Sequence, residues 1–448
     1  MKERGITMRR VTFKGGIHPY DGKDLTQDKA IQDISPKSDL VYPLAQHIGA
    51  PATPVVAVGD QVLVGQKIAE ASGFISANIC CSVSGKVKAI EKRLCVNGAM
   101  VNSIVVENDG EYNTVEGFGE KRDYTTLSKE EIRAIVKEAG IVGLGGAGFP
   151  TNVKITPQNE DGIDYVIVNA AECEPYLTSD YRLILEKTDK LLGGLKIVLS
   201  LFPNAKGIIG IEDNKKEAVK VLQEAVKNEA NIEVKVLKTK YPQGGERSLI
   251  YATTGRKLNS SLLPADLGCV VNNVATLVAV YEAVCESTPL IKKVITVTGD
   301  CVQNPGNFAV RLGTNYNDVI EAAGGFTVQP EKIVSGGPMM GMSLIKTDVP
   351  VSKTGSALLT FKKDVVAELE TSNCINCGRC VNVCPSGLVP AMMNKAVKQN
   401  NMQQFEALNG MECTECGSCS YTCPAKIQLT QAFRVAKRSI IEERRKAK

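Results

Sequence analysis

Three features of the sequence predict a multidomain chain of α/β and α+β type. Residues 41–108 hold short β-branched runs broken by Gly-Asp and Gly-Gln turns. Residues 121–288 alternate strand-like apolar runs with helical stretches, the pattern of a mainly parallel sheet. Residues 371–448 are helical in pattern and crowded with cysteine. A length of 448 residues accommodates several domains. The expected divisions are 1–120, 121–288, 289–345, a connector at 346–370, and 371–448.

Bulk properties narrow the class. Hydrophobic residues make up 43% and charged residues 23%, and the net charge of +4 is too small to argue for nucleic acid. Residues 1–10 are basic with no apolar run behind them, so no secretory signal is expected. No window reaches the roughly 18 apolar residues of a membrane helix, so attachment to a membrane would go through partners. With only His18 and His47 in the chain, a multi-histidine zinc enzyme or a Ser-His-Asp hydrolase is poorly supplied.

In the first region, Val55-Val-Ala-Val-Gly-Asp-Gln-Val-Leu-Val-Gly-Gln-Lys-Ile-Ala and Ser84-Gly-Lys-Val-Lys-Ala-Ile resemble the biotinyl/lipoyl-like barrel. Domains of that type carry a cofactor on a hairpin Lys. The stretch 71–83 here has no Lys, which predicts a structural module.

In the second region, Ser128 with Glu131 three residues on forms a capping-box pattern, predicting a helix to Ala139 that stops at Gly140. Next comes Gly143-Leu-Gly145-Gly146-Ala-Gly148-Phe149-Pro150. It contains G-x-G-x-x-G, but a helix precedes it and Phe-Pro follows, so an ordinary Rossmann turn is not expected. Its backbone N–H groups still suit a phosphate or a ring edge. Strands are expected at 164–168 and 206–211. The first runs into Asn169-Ala-Ala-Glu172-Cys173-Glu174-Pro175, two acids at the carboxyl end of a strand, where such sheets bind ligands. Tyr241-Pro-Gln-Gly244-Gly245-Glu246 follows, and Asn272-Asn273-Val-Ala-Thr276 opens a helix whose N-terminus suits a phosphate. Val294-Ile-Thr-Val-Thr begins a small α+β unit.

The cysteines carry the most specific signal. Eight of the fifteen lie within 374–423, the crowding of a metal site in a reducing compartment. Cys374, Cys377, Cys380 and Cys384-Pro form a C-x2-C-x2-C-x3-C-P run, and Cys413, Cys416, Cys419 and Cys423-Pro repeat it. In two-cluster ferredoxins the fourth Cys of each run ligates the other cluster. The assignment is therefore Cys374, Cys377, Cys380 and Cys423 to one [4Fe–4S] cluster, and Cys413, Cys416, Cys419 and Cys384 to the other. Two all-cysteine zinc sites are the competing reading. Between the runs, residues 390–409 look helical, with Met393, Val397, Phe405 and Leu408 on a buried face and Gly410 closing the helix. Leu429, Phe433, Ala436 and Ile440 form an apolar stripe on a basic C-terminal helix, facing either its own domain or a partner or membrane. Cys80, Cys81, Cys95, Cys173, Cys269, Cys285 and Cys301 lack ligand spacing and read mostly as core.

Taken together, the G-x-G-G-A-G-F-P loop, the N-A-x-E-x-E-P strand end, the Y-x-x-G-x-E segment and the N-N-V-x-T helix start resemble the flavin-binding subunit of respiratory complex I. With Phe13-Lys-Gly-Gly-Ile-His-Pro, the barrel-like region and the doubled cysteine run, the whole chain resembles the RnfC family of Rnf electron transport complexes. That resemblance implies a barrel-sandwich-like β module, a complex I-type α/β flavin domain, a β-grasp-like domain at 289–345 and a helical two-cluster ferredoxin-like domain. It implies non-covalent FMN lined by Gly143, Gly145, Gly146, Gly148, Lys154, Asn169, Glu172, Gly244, Gly245, Asn272, Asn273 and Thr276. Phe149, Glu174 and Glu246 would border NAD(H). No protein acid or base is strictly required, because the flavin mediates hydride transfer. The implied activity is NADH-linked oxidoreduction within an ion-translocating ferredoxin:NAD+ oxidoreductase. The chain would be peripheral on the cytoplasmic face of the membrane, with membrane and iron–sulfur subunits as partners. Leu144, Ala171 and Gly245 depart from the complex I pattern, where an Arg and two acids are usual. Two neighbouring readings share the parts: a soluble FMN and iron–sulfur corrin reductase of a microcompartment, against which residues 1–120 argue, and a flavin-less iron–sulfur relay.

Overall fold

The computed structural model describes residues 11–446. Residues 1–10, on which the reading of the leader rests, and 447–448 lie outside the described residues.

The site is built on a four-stranded parallel sheet in the order Ile232–Leu237, Lys206–Glu212, Tyr165–Ala170, Cys269–Asn273. Its strands are buried on both faces, as a parallel sheet requires. Val166 and Val168 enter one core with Leu195, Val198 and Leu277, while Ile167 and Ile208 enter another with Leu249 and Ile250. The helix Lys129–Glu138 starts at the predicted capping box, with Ser128 Oγ accepting from Glu131 N and Glu131 Oε2 from Ser128 N. Gly140 follows at φ +63°.

The N-terminal β module is two antiparallel sheets around Leu40, Tyr42, Val62, Ile68, Val87 and Ile104. Its long hairpin pairs Gly85–Leu94 with Met100–Asn108. The residues before it do not belong to it. Val11 bridges to Leu237, Ile17 bridges to Tyr241, and Ile31–Asp33 pairs in parallel with Gly306–Arg311.

That last pairing starts a six-stranded sheet, which also corrects the expected connector at 346–370. Ala357–Phe361 lies within this sheet, parallel to Lys292–Gly299 and antiparallel to Lys332–Ser335. A five-residue run carries little periodicity, and its partner strand is some sixty residues away, so the pairing has no local signature.

The C-terminal domain packs Met393, Phe405, Leu429, Phe433, Ala436 and Ile440 into one core. The apolar stripe of the helix Leu429–Lys446 therefore faces its own domain. Gly410 does not close the preceding helix. Asn409 takes the left-handed conformation at φ +59°, and Gly410 opens a short 3-10 turn. A Cβ at Gly410 would lie 2.3 Å from the Phe405 ring, so packing is what demands glycine there. Among the described residues no helix is long and apolar enough to cross a membrane.

Candidate functional site

The carboxyl end of the parallel sheet gathers most of the predicted flavin residues. Asn169 and Asn273 are register partners on neighbouring strands. Asn169 Nδ2 donates to Gly244 O at 2.8 Å. Asn273 caps the helix Val274–Glu286, its Oδ1 accepting from Ala275 N, and its Nδ2 donates to Asp180 at 2.5 Å. The glycine loop rests on this helix start. Leu144 N donates to Thr276 Oγ1 at 3.0 Å, and a Cβ at Gly145 would stand 2.7 Å from Asn273 Nδ2. Gly145, Gly146 and Ala147 are exposed, and nothing lies within 4 Å of a Cβ built on Gly146. Lys154 donates to Val271 O at 2.8 Å and stands 4.0 Å from the exposed carboxylate of Glu246. Asn272 Nδ2 is buried with no partner in the protein. An open glycine loop, an orphan amide and a lysine beside a helix N-terminus suit the acceptor-rich edge and phosphate of a flavin mononucleotide.

Two acids sit differently from expectation. Glu172 has φ +44° and turns its carboxylate onto the start of the helix Ser179–Glu186, accepting from Asp180 N at 2.7 Å and Tyr181 N at 3.3 Å. Burial raises its pKa against the opposing pull of Lys23 and Lys215. Glu174 Oε2 accepts from Met339 N at 3.0 Å, in the loop of the neighbouring domain, and its Oε1 is buried without a partner. Burial lifts Glu174 to about 7 even though the Met339 and Met340 N–H groups pull the other way.

Sequence reasoning missed a set of buried lysines that brace this end of the sheet. Lys293 reaches out of the six-stranded sheet to Leu144 O at 2.6 Å and Lys353 O at 2.7 Å. Lys353 holds the carbonyls of Gly140 and Asn78. Lys23 binds the carbonyls of Glu172, Glu174 and Leu177, and Lys215 that of Ala171. Burial lowers Lys293 to about 7 and Lys353 to about 8, with Asp180 and Cys80 respectively opposing. The one available signal was a lysine inside an apolar strand, Lys293 before Val294-Ile-Thr-Val.

The eight motif cysteines divide between two cavities. Cys374, Cys377, Cys380 and Cys423 line one of about 430 Å³, and Cys384, Cys413, Cys416 and Cys419 line another of about 350 Å³. Each set thus takes its fourth cysteine from the other run. The thiols surround a space rather than converging on a point, and backbone N–H groups reach sulfur at 3.4 Å from Leu388 to Cys384 and from Glu415 to Cys413. A cubane suits such a thiol set better than a single zinc ion does. The remaining seven cysteines lie outside both cavities, and Cys80, Cys81, Cys269, Cys285 and Cys301 are buried.

The second cavity adjoins the flavin side of the molecule. Ile17, Tyr241 and Cys416 are buried together, with Cys173, Met339 and Val383 packed around them. Gly16 N donates to Val383 O at 2.9 Å, and Ile17 N to Tyr241 O at 2.8 Å, so the Phe13-Lys-Gly-Gly-Ile segment threads between the two domains. Arg247, one residue beyond Glu246, pairs with Glu412 at 2.8 Å. Cys173 Sγ accepts from Gly244 N at 3.2 Å, and burial pushes its thiol far up.

A glycine-looped α/β cleft joined across one seam to paired four-cysteine cavities defines a flavin and iron–sulfur oxidoreductase subunit. Family models agree along the whole chain: the RnfC barrel sandwich hybrid domain matches residues 11–111, the Nuo51 FMN-binding domain 136–282, the SLBB domain 294–343 and the 4Fe-4S dicluster domain 369–427. The chain is 44% identical over 444 residues to the RnfC-type component of the Na(+)-translocating ferredoxin:NAD(+) oxidoreductase complex of Acetobacterium woodii, covering 98% of this chain and 100% of that protein. It is 45% identical over 441 residues to the corresponding component of the proton-translocating ferredoxin:NAD(+) oxidoreductase complex of Clostridium ljungdahlii, covering 98% and 96%. A solved NAD+-reducing [NiFe]-hydrogenase in the H2-reduced state shares the fold over 68% of this chain and 61% of its own, with a TM-score of 0.50 and 21% identity. The chain belongs to the RnfC family, a component of ion-translocating ferredoxin:NAD+ oxidoreductase complexes.

Proposed function

We propose that this chain is the peripheral, cytoplasmic-face subunit of such a complex, moving electrons between two [4Fe–4S] clusters, FMN and NAD(H). The observation that carries the reading is the seam: the Cys384/Cys413/Cys416/Cys419 cavity touches Tyr241 and Cys173, directly behind the strand end that carries Asn169 and the Gly244 turn. FMN, when bound, exchanges two electrons with a nicotinamide and single electrons with iron–sulfur clusters.

The chain's own residues then divide the work. Gly143, Gly145, Gly146 and Gly148 offer backbone to the flavin phosphate and ring edge, and Lys154 offers charge. Asn169, Asn272, Asn273, Thr276, Gly244 and Gly245 line the remaining wall. Glu172 shapes that wall from behind by capping the helix Ser179–Glu186. Phe149 and Glu246 border the nucleotide, with Glu246 placed to accept from sugar hydroxyls. Glu174 is already engaged by Met339, and we assign it to the seam. Cys413, Cys416, Cys419 and Cys384 hold an inner cluster. Cys374, Cys377, Cys380 and Cys423 hold an outer one.

The test is an anaerobic preparation with iron, acid-labile sulfide and FMN measured per chain. The reading expects about eight iron, about eight sulfide and one flavin, as two cubanes require. A colourless chain lacking both would overturn it.

A further inference from the structure

The outer cysteine site is open to solvent on a side that the rest of the chain leaves uncovered. Cys374 and Cys377 are exposed, and so is Ile375 between them, at 68%. Ala391 and Asn394 line the same cavity from the helix Pro390–Lys398. On that helix Met392, Lys395 and Lys398 follow at three-residue steps, all exposed. Arg379 and Lys426 stand beside the mouth and are exposed as well.

The charges are what distinguish this rim. Around the inner site the basic side chains are used within the chain: Arg434 and Lys437 both pair with Glu415, and Arg247 pairs with Glu412. Among the described residues Arg379, Lys395, Lys398 and Lys426 make no ion pair. Glu370 is an exposed acid in the adjoining segment, so the rim stays net positive. An apolar centre inside a ring of unpaired positive charge has the make-up of a transient interface whose association is steered by charge.

We propose that this rim is the docking surface for an acidic one-electron carrier, an iron–sulfur protein domain that seats on Ile375 and Met392 and sets carboxylates against Arg379, Lys395, Lys398 and Lys426. The proposal rests on the assignment of an outer cluster to Cys374, Cys377, Cys380 and Cys423. The one-electron step is balanced by the carrier's own cluster, oxidised as the chain's outer cluster is reduced.

The experiment uses the full chain, anaerobically loaded with FMN and clusters, and follows cluster reduction by stopped flow. The probe is a reduced acidic two-[4Fe–4S] ferredoxin, with dithionite as the small reductant. The ferredoxin rate should fall steeply with ionic strength. Lys395→Glu/Lys398→Glu should slow it at least tenfold at low salt, while dithionite reduction, iron content and NADH-driven ferricyanide reduction stay unchanged. Met392→Glu provides a second variant away from the cysteine runs and should slow the same step. An unchanged ferredoxin rate in the variants, or a wild-type rate indifferent to salt, overturns the docking surface while leaving the functional reading standing. A variant that keeps its ferredoxin rate but loses sedimentation with anionic phosphatidylglycerol vesicles also overturns it, and assigns the rim to lipid. A wild-type chain without clusters or flavin sinks the functional reading itself.

Discussion

The two cysteine runs have the same spacing and unlike surroundings. The inner set is closed in by four parts of the chain: the threaded segment 13–17, Tyr241 and Cys173 of the α/β domain, Met339 of the six-stranded-sheet domain, and the ferredoxin-like core. The outer set is lined by its own domain alone and exposes two of its cysteines. Spacing therefore defines a ligand set, and the neighbouring chain decides what the set exchanges electrons with. Burial and N–H···S bonds separate two clusters that sequence alone makes equivalent.

The sharpest way to break the comparison is to remove the shared fourth ligands. Cys423→Ser should abolish the outer cluster, about half of the iron, and leave the inner one reducible by NADH. Cys384→Ser should do the opposite and also cut the outer cluster off from NADH. Electron paramagnetic resonance of the two variants reads this directly. If Cys423→Ser instead removed the signal that NADH reduces first, the inner and outer assignments would be exchanged.

A second, smaller effect tests whether the threaded segment makes the inner site what it is. Gly15 and Gly16 lie at φ +81° and +84°, and a Cβ at Gly15 would meet Cys384 O at 2.8 Å. A side chain there costs roughly 1–2 kcal/mol in backbone strain alone, before the clash. Gly15→Val should lower occupancy of the inner cluster several-fold and slow its reduction by NADH, with the outer cluster intact. Equal damage to both clusters would mean that the segment supports the whole domain.

The same asymmetry explains what the sequence could and could not reveal. The cysteine runs, the Ser128–Glu131 capping box and the Asn273 cap are local. Each is set by residues within a few positions, and each is visible as a pattern. The seam is not. Lys293 on Leu144 O, Gly16 on Val383 O and Ala357–Phe361 beside Lys292–Gly299 join residues far apart in sequence, and none leaves a periodic mark. Glu174 marks the boundary between the two cases. Its motif pointed to ligand binding, and long-range packing against Met339 gave it another partner.

Glu174 also supplies the mildest test of the seam. Burial raises its pKa to about 7, above the ordinary carboxyl range of roughly 4.3 in an unfolded chain. Below that lower value the carboxyl is protonated in both states and costs nothing. Between the two values the unfolded chain releases the proton first, so stability falls as pH rises. Above 7 the penalty is constant, about 3 kcal/mol at most. Glu174→Gln keeps an acceptor for Met339 N and has no proton to lose. Its melting temperature should exceed that of the wild type at pH 8, and the two should coincide near pH 4.5. No residue at the outer site faces another domain in this way, so substitutions at its exposed rim, such as Lys395→Gln, should give no pH-dependent difference. A Glu174→Gln advantage equal at both pH values would show that the carboxyl ionises in the folded chain as it does in the unfolded one, and that Met339 does not shield it.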